Sequence, residues 1–212
     1  MKTDELIRAL AEDAGTPRKS MPLRLGVALG LGGIVAVVLF AATLGLRPDL
    51  AAVAGAWRFQ FKLATPIVSF LAAFWACLRL ARPDGRPRDV LPALLVGPVL
   101  ALAGAGAELA LTPAASWLTR ALGRYSGVCL VAIPSLSAVS LVAALAVLRA
   151  GAPRSPALAG AAAGLLAATL SAGIYATHCP DDSPLFFGLW YTTAIGTVVL
   201  AGGLAGGRAL RW

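Results

Sequence analysis

Six apolar runs limit what this chain can become, because each reaches the 18 or more residues that cross roughly 30 Å of hydrocarbon at ~1.5 Å per residue. They cover residues 25–46, 63–80, 90–111, 126–148, 156–177 and 185–206. Composition agrees: 58% of the chain is hydrophobic and 13% charged, where a soluble domain carries about 45–50% and about 25%. The expected fold is all-α and polytopic, with six transmembrane helices in one bundle over residues 23–212 and a short cytoplasmic segment, 1–22, ahead of them. The second run is the tightest, since only sixteen uncharged residues separate Lys62 from Arg79, and both side chains are expected to snorkel outward. The first run is too long for the apolar part of a cleavable signal peptide and follows twenty-odd mostly polar residues.

The net charge of +8 raises nucleic acid as a partner, but its distribution argues for topology. With the N terminus in the cytoplasm, inside segments hold thirteen of the eighteen basic residues, and outside segments hold Arg47, Arg58, Lys62, Arg120 and Arg124. Cytoplasmic loops carry just such an excess of Lys and Arg. The expectation is a multi-pass membrane protein with both termini cytoplasmic and no direct contact to nucleic acid.

The polar head reads "MKTDELIRALAEDAGTPRKSMP". Thr3 or Asp4 can cap a helix, Asp4 and Glu5 suit its positive end, and Gly15 with Pro17 stops it. Leu6, Ile7 and Leu10 then form a small apolar stripe. A helix this short gains most of its stability from a surface to lie on, and the pattern leaves lipid, the bundle itself and a protein partner open. The acidic residues Asp4, Glu5, Glu12 and Asp13 weigh against an anionic lipid surface.

Inside the runs, glycines recur four apart at Gly26 and Gly30, Gly160 and Gly164, and Gly202 and Gly206, the spacing of close helix packing. Residues 112–127, "TPAASWLTRALGRYSG", read as a short amphipathic re-entry on the outer face. Trp57, Trp117, Tyr125, Trp190 and Tyr191 fall near outer boundaries, where aromatic anchors sit. Glu108 is the one carboxylate inside a run. It is a candidate proton or cation site, although pairing with Arg120 or Arg124 is the commoner arrangement. There is no second histidine, no HExxH and no GxSxG, so catalysis is not expected.

The connector "YATHCPDDSPLFFGLWY", residues 175–191, gathers the single histidine, a cysteine and two aspartates. Topology puts Cys179 outside and Cys129 just within the outer end of the fourth run, both on the oxidising side, where a disulfide persists. Cys77 lies near the inner end of the second run. Thiolate, imidazole and carboxylate are ligand types for zinc and other borderline metals, so Cys129, His178, Cys179 and Asp181 form a candidate metal set. A structural disulfide, a redox pair and a metal site all fit these residues.

The opening "MKTDELIRALAED", the phrase "GVCLVAIPSLS", the stretch "LRAGAPRSPALAGAAAGLLA", the connector "IYATHCPDDSPLFFGLWY" and the terminal "LRW" resemble the NrsF-type membrane anti-sigma factors from end to end. The resemblance implies a six-helix inner-membrane protein whose N-terminal segment holds an extracytoplasmic-function sigma factor inactive. It also implies two extracytoplasmic sensor thiols, matching Cys129 and Cys179, that respond to oxidants or heavy metals. Thr3, Asp4, Glu5, Leu6, Ile7 and Leu10 then become the sigma-binding residues, the stripe filling a groove and the acids facing a basic surface. The alternative from the residues is a small metal- or proton-coupled transporter using Glu108 and the outer histidine and cysteines.

Overall fold

The computed structural model describes Glu5 and residues 20–211. Thr3, Asp4, Leu6, Ile7 and Leu10 lie outside the described residues; Glu5 is helical and exposed. Among the described residues there are six helices long and apolar enough to cross a membrane: α1 (Met21–Thr43), α2 (Trp57–Leu80), α3 (Pro87–Leu111), α4 (Ser126–Leu148), α5 (Pro156–Ala176) and α6 (Pro184–Ala209). Four of them, α1, α3, α5 and α6, open on a proline in the first turn, where the missing N–H has no intrahelical partner to lose and φ is already helical. The internal prolines Pro66, Pro92, Pro98 and Pro134 leave their helices continuous.

The chain turns sharply where geometry demands glycine. α1 ends at Leu44 and Gly45 follows with φ +71°, a left-handed conformation that glycine adopts without a Cβ penalty. Gly123, at φ +57°, closes a short helix (Trp117–Leu122) in the α3–α4 connection. That connection is where the sequence suggested an amphipathic re-entry, and the Trp190 indole donates to its Ala121 carbonyl at 2.9 Å.

α5 is the central helix, packed on α6, α2 and α4, while α1 leans on α4 and α3 on α2. Its Ala- and Gly-rich sequence makes this position available. Gly160 and Gly164 face Gly202 and Gly206 so closely that a Cβ on Gly160 would stand 2.2 Å from the Gly202 carbonyl oxygen. Gly26 and Gly30 have open space beside them, so only the second and third of the three expected pairs pack helices together.

The core falls into two main clusters. One, at the end bearing the α2–α3 and α4–α5 turns (the arginine end), includes Leu25, Cys77, Leu80, Leu148 and Leu166. The other, at the opposite end (the thiol end), includes Cys129, Ile133, Tyr175, Cys179, Phe186 and Tyr191. Two expectations are corrected here. Tyr191 is fully buried and is no boundary anchor. Lys62 does not snorkel outward: its side chain turns into the bundle and is 0% exposed, which lets α2 begin at Trp57, six residues ahead of the apolar run.

Candidate functional site

α5 stops where its sequence changes from Ala-Gly-Ile to Thr-His-Cys-Pro. The amides of Thr177 and His178 bond back to Ile174 and Tyr175, and Cys179 N donates to Tyr175 O at 3.2 Å. Pro180 cannot extend the helix. Four residues on, the Ser183 hydroxyl accepts from Leu185 N and Pro184 starts α6. The connector is therefore short, and it tucks Cys179 underneath itself.

Cys129 approaches from the first turn of α4, its amide donating to Tyr125 O at 2.9 Å. Cys129 and Cys179 are both free thiols, both 0% exposed, in one core cluster and close enough for each to act on the other electrostatically. Cys129 Sγ also lies 3.4 Å from the Tyr175 hydroxyl. The Tyr191 hydroxyl is buried beside the thiols with no hydrogen bond of its own, and the Tyr175 and Tyr191 rings are 5.7 Å apart. The Cys179 thiol is held below the ordinary thiol range, first by the neighbouring Cys129 thiol and then by the Lys62 ammonium, with burial acting against both. A lowered pKa raises the thiolate fraction, and the thiolate is the nucleophile and metal ligand. Cys77 belongs to the other cluster, so the sequence-derived pair is brought together and the odd thiol is kept apart.

Around the pair, charged side chains fasten the connector. Lys62 Nζ donates to the carbonyls of Cys179 and Asp181 and to Asp182 Oδ1, the last at 2.8 Å. Arg47, buried just after α1, donates to both Asp182 carboxylate oxygens at 3.0 and 2.8 Å, to Cys179 O at 3.3 Å and to Asp49. Asp49 in turn is held below the usual carboxylate range by the Arg47 guanidinium. Asp181 points elsewhere, its Oδ2 accepting from the amides of Arg124 and Tyr125 at 2.9 Å each. It therefore fastens the two residues that lead into α4.

The four-residue metal set does not assemble. His178 Nδ1 lies 2.9 Å from the Gly45 carbonyl, with its ring among Phe40, Tyr125 and Tyr175, and the Asp181 carboxylate is committed to α4. Among the described residues no three His, Cys, Asp or Glu side chains converge on a metal position. What converges is two sulfurs. A soft ion bound between them would have two thiolate ligands from this pair, without the imidazole or the carboxylate.

Glu108 is also accounted for. Its carboxylate is 0% exposed and clamped at 2.9 Å by Arg58 on one oxygen and 2.9 Å by Arg120 on the other. The pairing expected with Arg120 is present, Arg58 is the second partner, and Arg124 contributes only its amide, to Asp181.

Arg47, Lys62, Tyr175 and Tyr191 were not legible as site residues. One signal pointed to the first two: of the five basic residues assigned to the outside, Arg47 and Lys62 directly abut apolar runs, and the connector carries two adjacent acids with no basic neighbour in sequence.

Comparison with known proteins bears on the whole chain. Residues 10–212 match the NrsF family, described as negative regulator of sigma F. The chain is 38% identical to the anti-sigma-F factor NrsF of Caulobacter vibrioides, with 100% of both chains covered. It is 34% identical to a protein of Azospira oryzae named as a probable anti-sigma-F factor NrsF, again over 100% of both. No solved structure matches.

Proposed function

The chain belongs to the NrsF family, and from that premise we propose that it is a membrane-bound anti-sigma factor that releases an extracytoplasmic-function sigma factor when Cys129 and Cys179 change state. The observation that carries the sensing role is the meeting of two free, buried thiols fifty residues apart in sequence, one of them with a lowered pKa. With a two-electron oxidant such as hydrogen peroxide, the two S–H bonds are replaced by one S–S bond. Two electrons and two protons pass to the peroxide, which leaves as two waters. With a soft divalent metal, both thiols give up a proton and the two sulfurs become ligands. Either event acts on the sigma factor only through its different stability in the holding and releasing arrangements.

The sigma-binding segment in this reading is residues 1–22, with the Leu6, Ile7 and Leu10 stripe in a groove of the partner. The orientation that suits it puts the arginine end and both termini in the cytoplasm and the thiol end outside the inner membrane. Charge supports this, because acidic groups pair with Arg47, Arg58, Lys62 and Arg120 at the thiol end, and the unmatched positive charge falls at the other end. The role is regulatory, with no reaction catalysed and no nucleic acid bound directly. Transport through Glu108 has no observation in its favour, since two guanidinium groups already neutralise that carboxylate.

The test replaces Cys129 and Cys179 by serine in the full chain and measures sigma-dependent transcription under peroxide and under a soft metal salt. The expected result is a repressed, unresponsive system, and an unaltered response refutes the sensing role. Separately, Leu6→Asp with Leu10→Asp should abolish co-purification of the sigma factor.

A further inference from the structure

We propose that Lys62 is the positioning residue through which the state of Cys179 is passed to helix α2; this rests on the reading of Cys129 and Cys179 as the sensing pair. A lysine ammonium has three protons to donate, and the three acceptors of Lys62 Nζ are Cys179 O, Asp181 O and Asp182 Oδ1. All three belong to the connector. The side chain that leaves the second membrane-spanning helix thus ends as a three-point tie to the segment holding the sensor thiol.

Stability alone is a poor reason for such a residue. Taking an ammonium out of water is costly, and an apolar side chain of similar volume often serves a buried site as well or better than an ion pair. An ionisable group inside a span is instead a mark of function. Cys179 is also held at both ends: its sulfur is buried in one cluster with Cys129 of α4, while its carbonyl oxygen receives Lys62 of α2 and Arg47 beyond α1. Closing two free thiols to a bond of about 2 Å moves the Cys179 sulfur toward α4. That movement carries the carbonyl with it and loads or breaks the tie to α2.

α2 is placed to deliver that movement to the other end of the bundle. It packs along the central helix α5, and the Ala81 carbonyl just beyond its last turn accepts from Ala152 N at 3.0 Å, in the α4–α5 turn. One helix therefore joins the thiol connector to the arginine end.

The experiment uses the full chain with its sigma factor and a transcriptional reporter, in a Cys77→Ser background so that thiol counts report the pair alone. Membranes are treated with diamide, which takes up two electrons and two protons as the thiols form a disulfide. Free thiols are then counted by the mass added by a maleimide polymer. In Lys62→Met, where loss of the ammonium slows thiolate formation at Cys179, diamide is applied until the thiol count shows the pair oxidised to the same extent as in the parent, and resting repression should hold. Reporter induction should fall about tenfold, inside the roughly 5–150-fold range of coupling between sites.

Induction that follows thiol oxidation as in the parent overturns the proposal. If Lys62→Met is lost from the membrane, Asp182→Asn is measured in its place, since it keeps the partner's size and removes its charge. Loss of both variants, or parental induction in Asp182→Asn, makes Lys62 a structural residue and overturns the proposal as well. A Cys129→Ser, Cys179→Ser chain that still responds removes the sensing premise instead, so the two failures are told apart.

Discussion

Placing a methyl group at Gly160 tests whether close approach of α5 and α6 holds the bundle together. The Cβ of Gly160→Ala would sit 2.2 Å from Gly202 O, 2.7 Å from Gly206 Cα and 3.0 Å from Gly206 N. These are backbone atoms, which no rotamer change can clear, so the helices must separate by nearly 1 Å to reach the 3.0 Å below which Cβ contacts are essentially never found. A gap of about 0.5–1 Å forfeits a quarter to a half of each affected dispersion well of ~0.1–0.2 kcal/mol. Over the order of twenty atom pairs in these glycine layers that is about 1 kcal/mol. Overpacking strain of about 1–3 kcal/mol adds to it, and alanine's better helix propensity returns up to ~1 kcal/mol. The net expectation is a loss of about 2 kcal/mol. Gly26→Ala is the matched control, because its Cβ meets nothing within 4 Å, and only the propensity gain remains. Both variants are compared with the parent by thermal unfolding in detergent micelles, followed by circular dichroism. If Gly160→Ala unfolds no earlier than Gly26→Ala, the α5–α6 contact does not have the closeness argued for it.

Diamide treatment of the parent chain should join Cys129 to Cys179 and leave Cys77 as the single thiol that reacts after denaturation. Mass spectrometry of the alkylated protein reads this directly, and a bond to Cys77 would contradict the two-cluster core. Alkylation of Cys179 should reach half its maximal rate at a lower pH than an ordinary thiol of pKa about 8.5. Cys129→Ala, which removes the neighbouring thiol that lowers the Cys179 pKa most, should move that midpoint upward. An unmoved midpoint separates Cys179 from its partner. Glu108→Gln should cost about 1–3 kcal/mol in thermal unfolding, less than the roughly 3–5 kcal/mol of breaking a fully buried pair. The reason is that Arg58 and Arg120 keep 34% and 37% of their side chains exposed and can turn to water or headgroups. A variant as stable as the parent would mean that the clamp contributes nothing.

The number and rough limits of the six helices were legible because lipid imposes one length scale and one composition on every span. The boundaries that moved did so for local reasons. α1 ends early because Gly45 takes a left-handed turn, and α2 starts early because Lys62 is satisfied by the connector. The cysteine pairing was legible as topology alone: two thiols on one side, one on the other. The fates of His178 and Asp181 were not, because ligand-type residues adjacent in sequence can face opposite ways across a turn. Here one faces the end of α1 and the other the start of α4. A lysine at a helix boundary reads the same whether it snorkels out or turns in, and only the three acceptors at residues 179–182 decide between them.

The energetics of a switch built this way set a condition on its parts. Moving a two-state equilibrium from 1:99 to 99:1 takes about 5.5 kcal/mol of differential stability. Coupling between two sites of one protein typically amounts to ~1–3 kcal/mol, which gives the scale of what closing the sulfur–sulfur bond can supply. At about 3 kcal/mol, a state held at 1:99 reaches only about 3:2. Full release therefore needs either a resting bias milder than 1:99 or a second contribution made when the bond closes. The buried charges around Asp182 are suited to the second. Lys62 and Arg47 share that carboxylate at 2.8 Å each, and in a low-dielectric setting a small displacement of either alters the interaction by far more than it would at an exposed surface. A tenfold fall in induction on removing Lys62 corresponds to about 1.4 kcal/mol, which is a large part of the ~2.5 kcal/mol left over. The thiols then set when the switch moves, and the ion-paired connector sets how far.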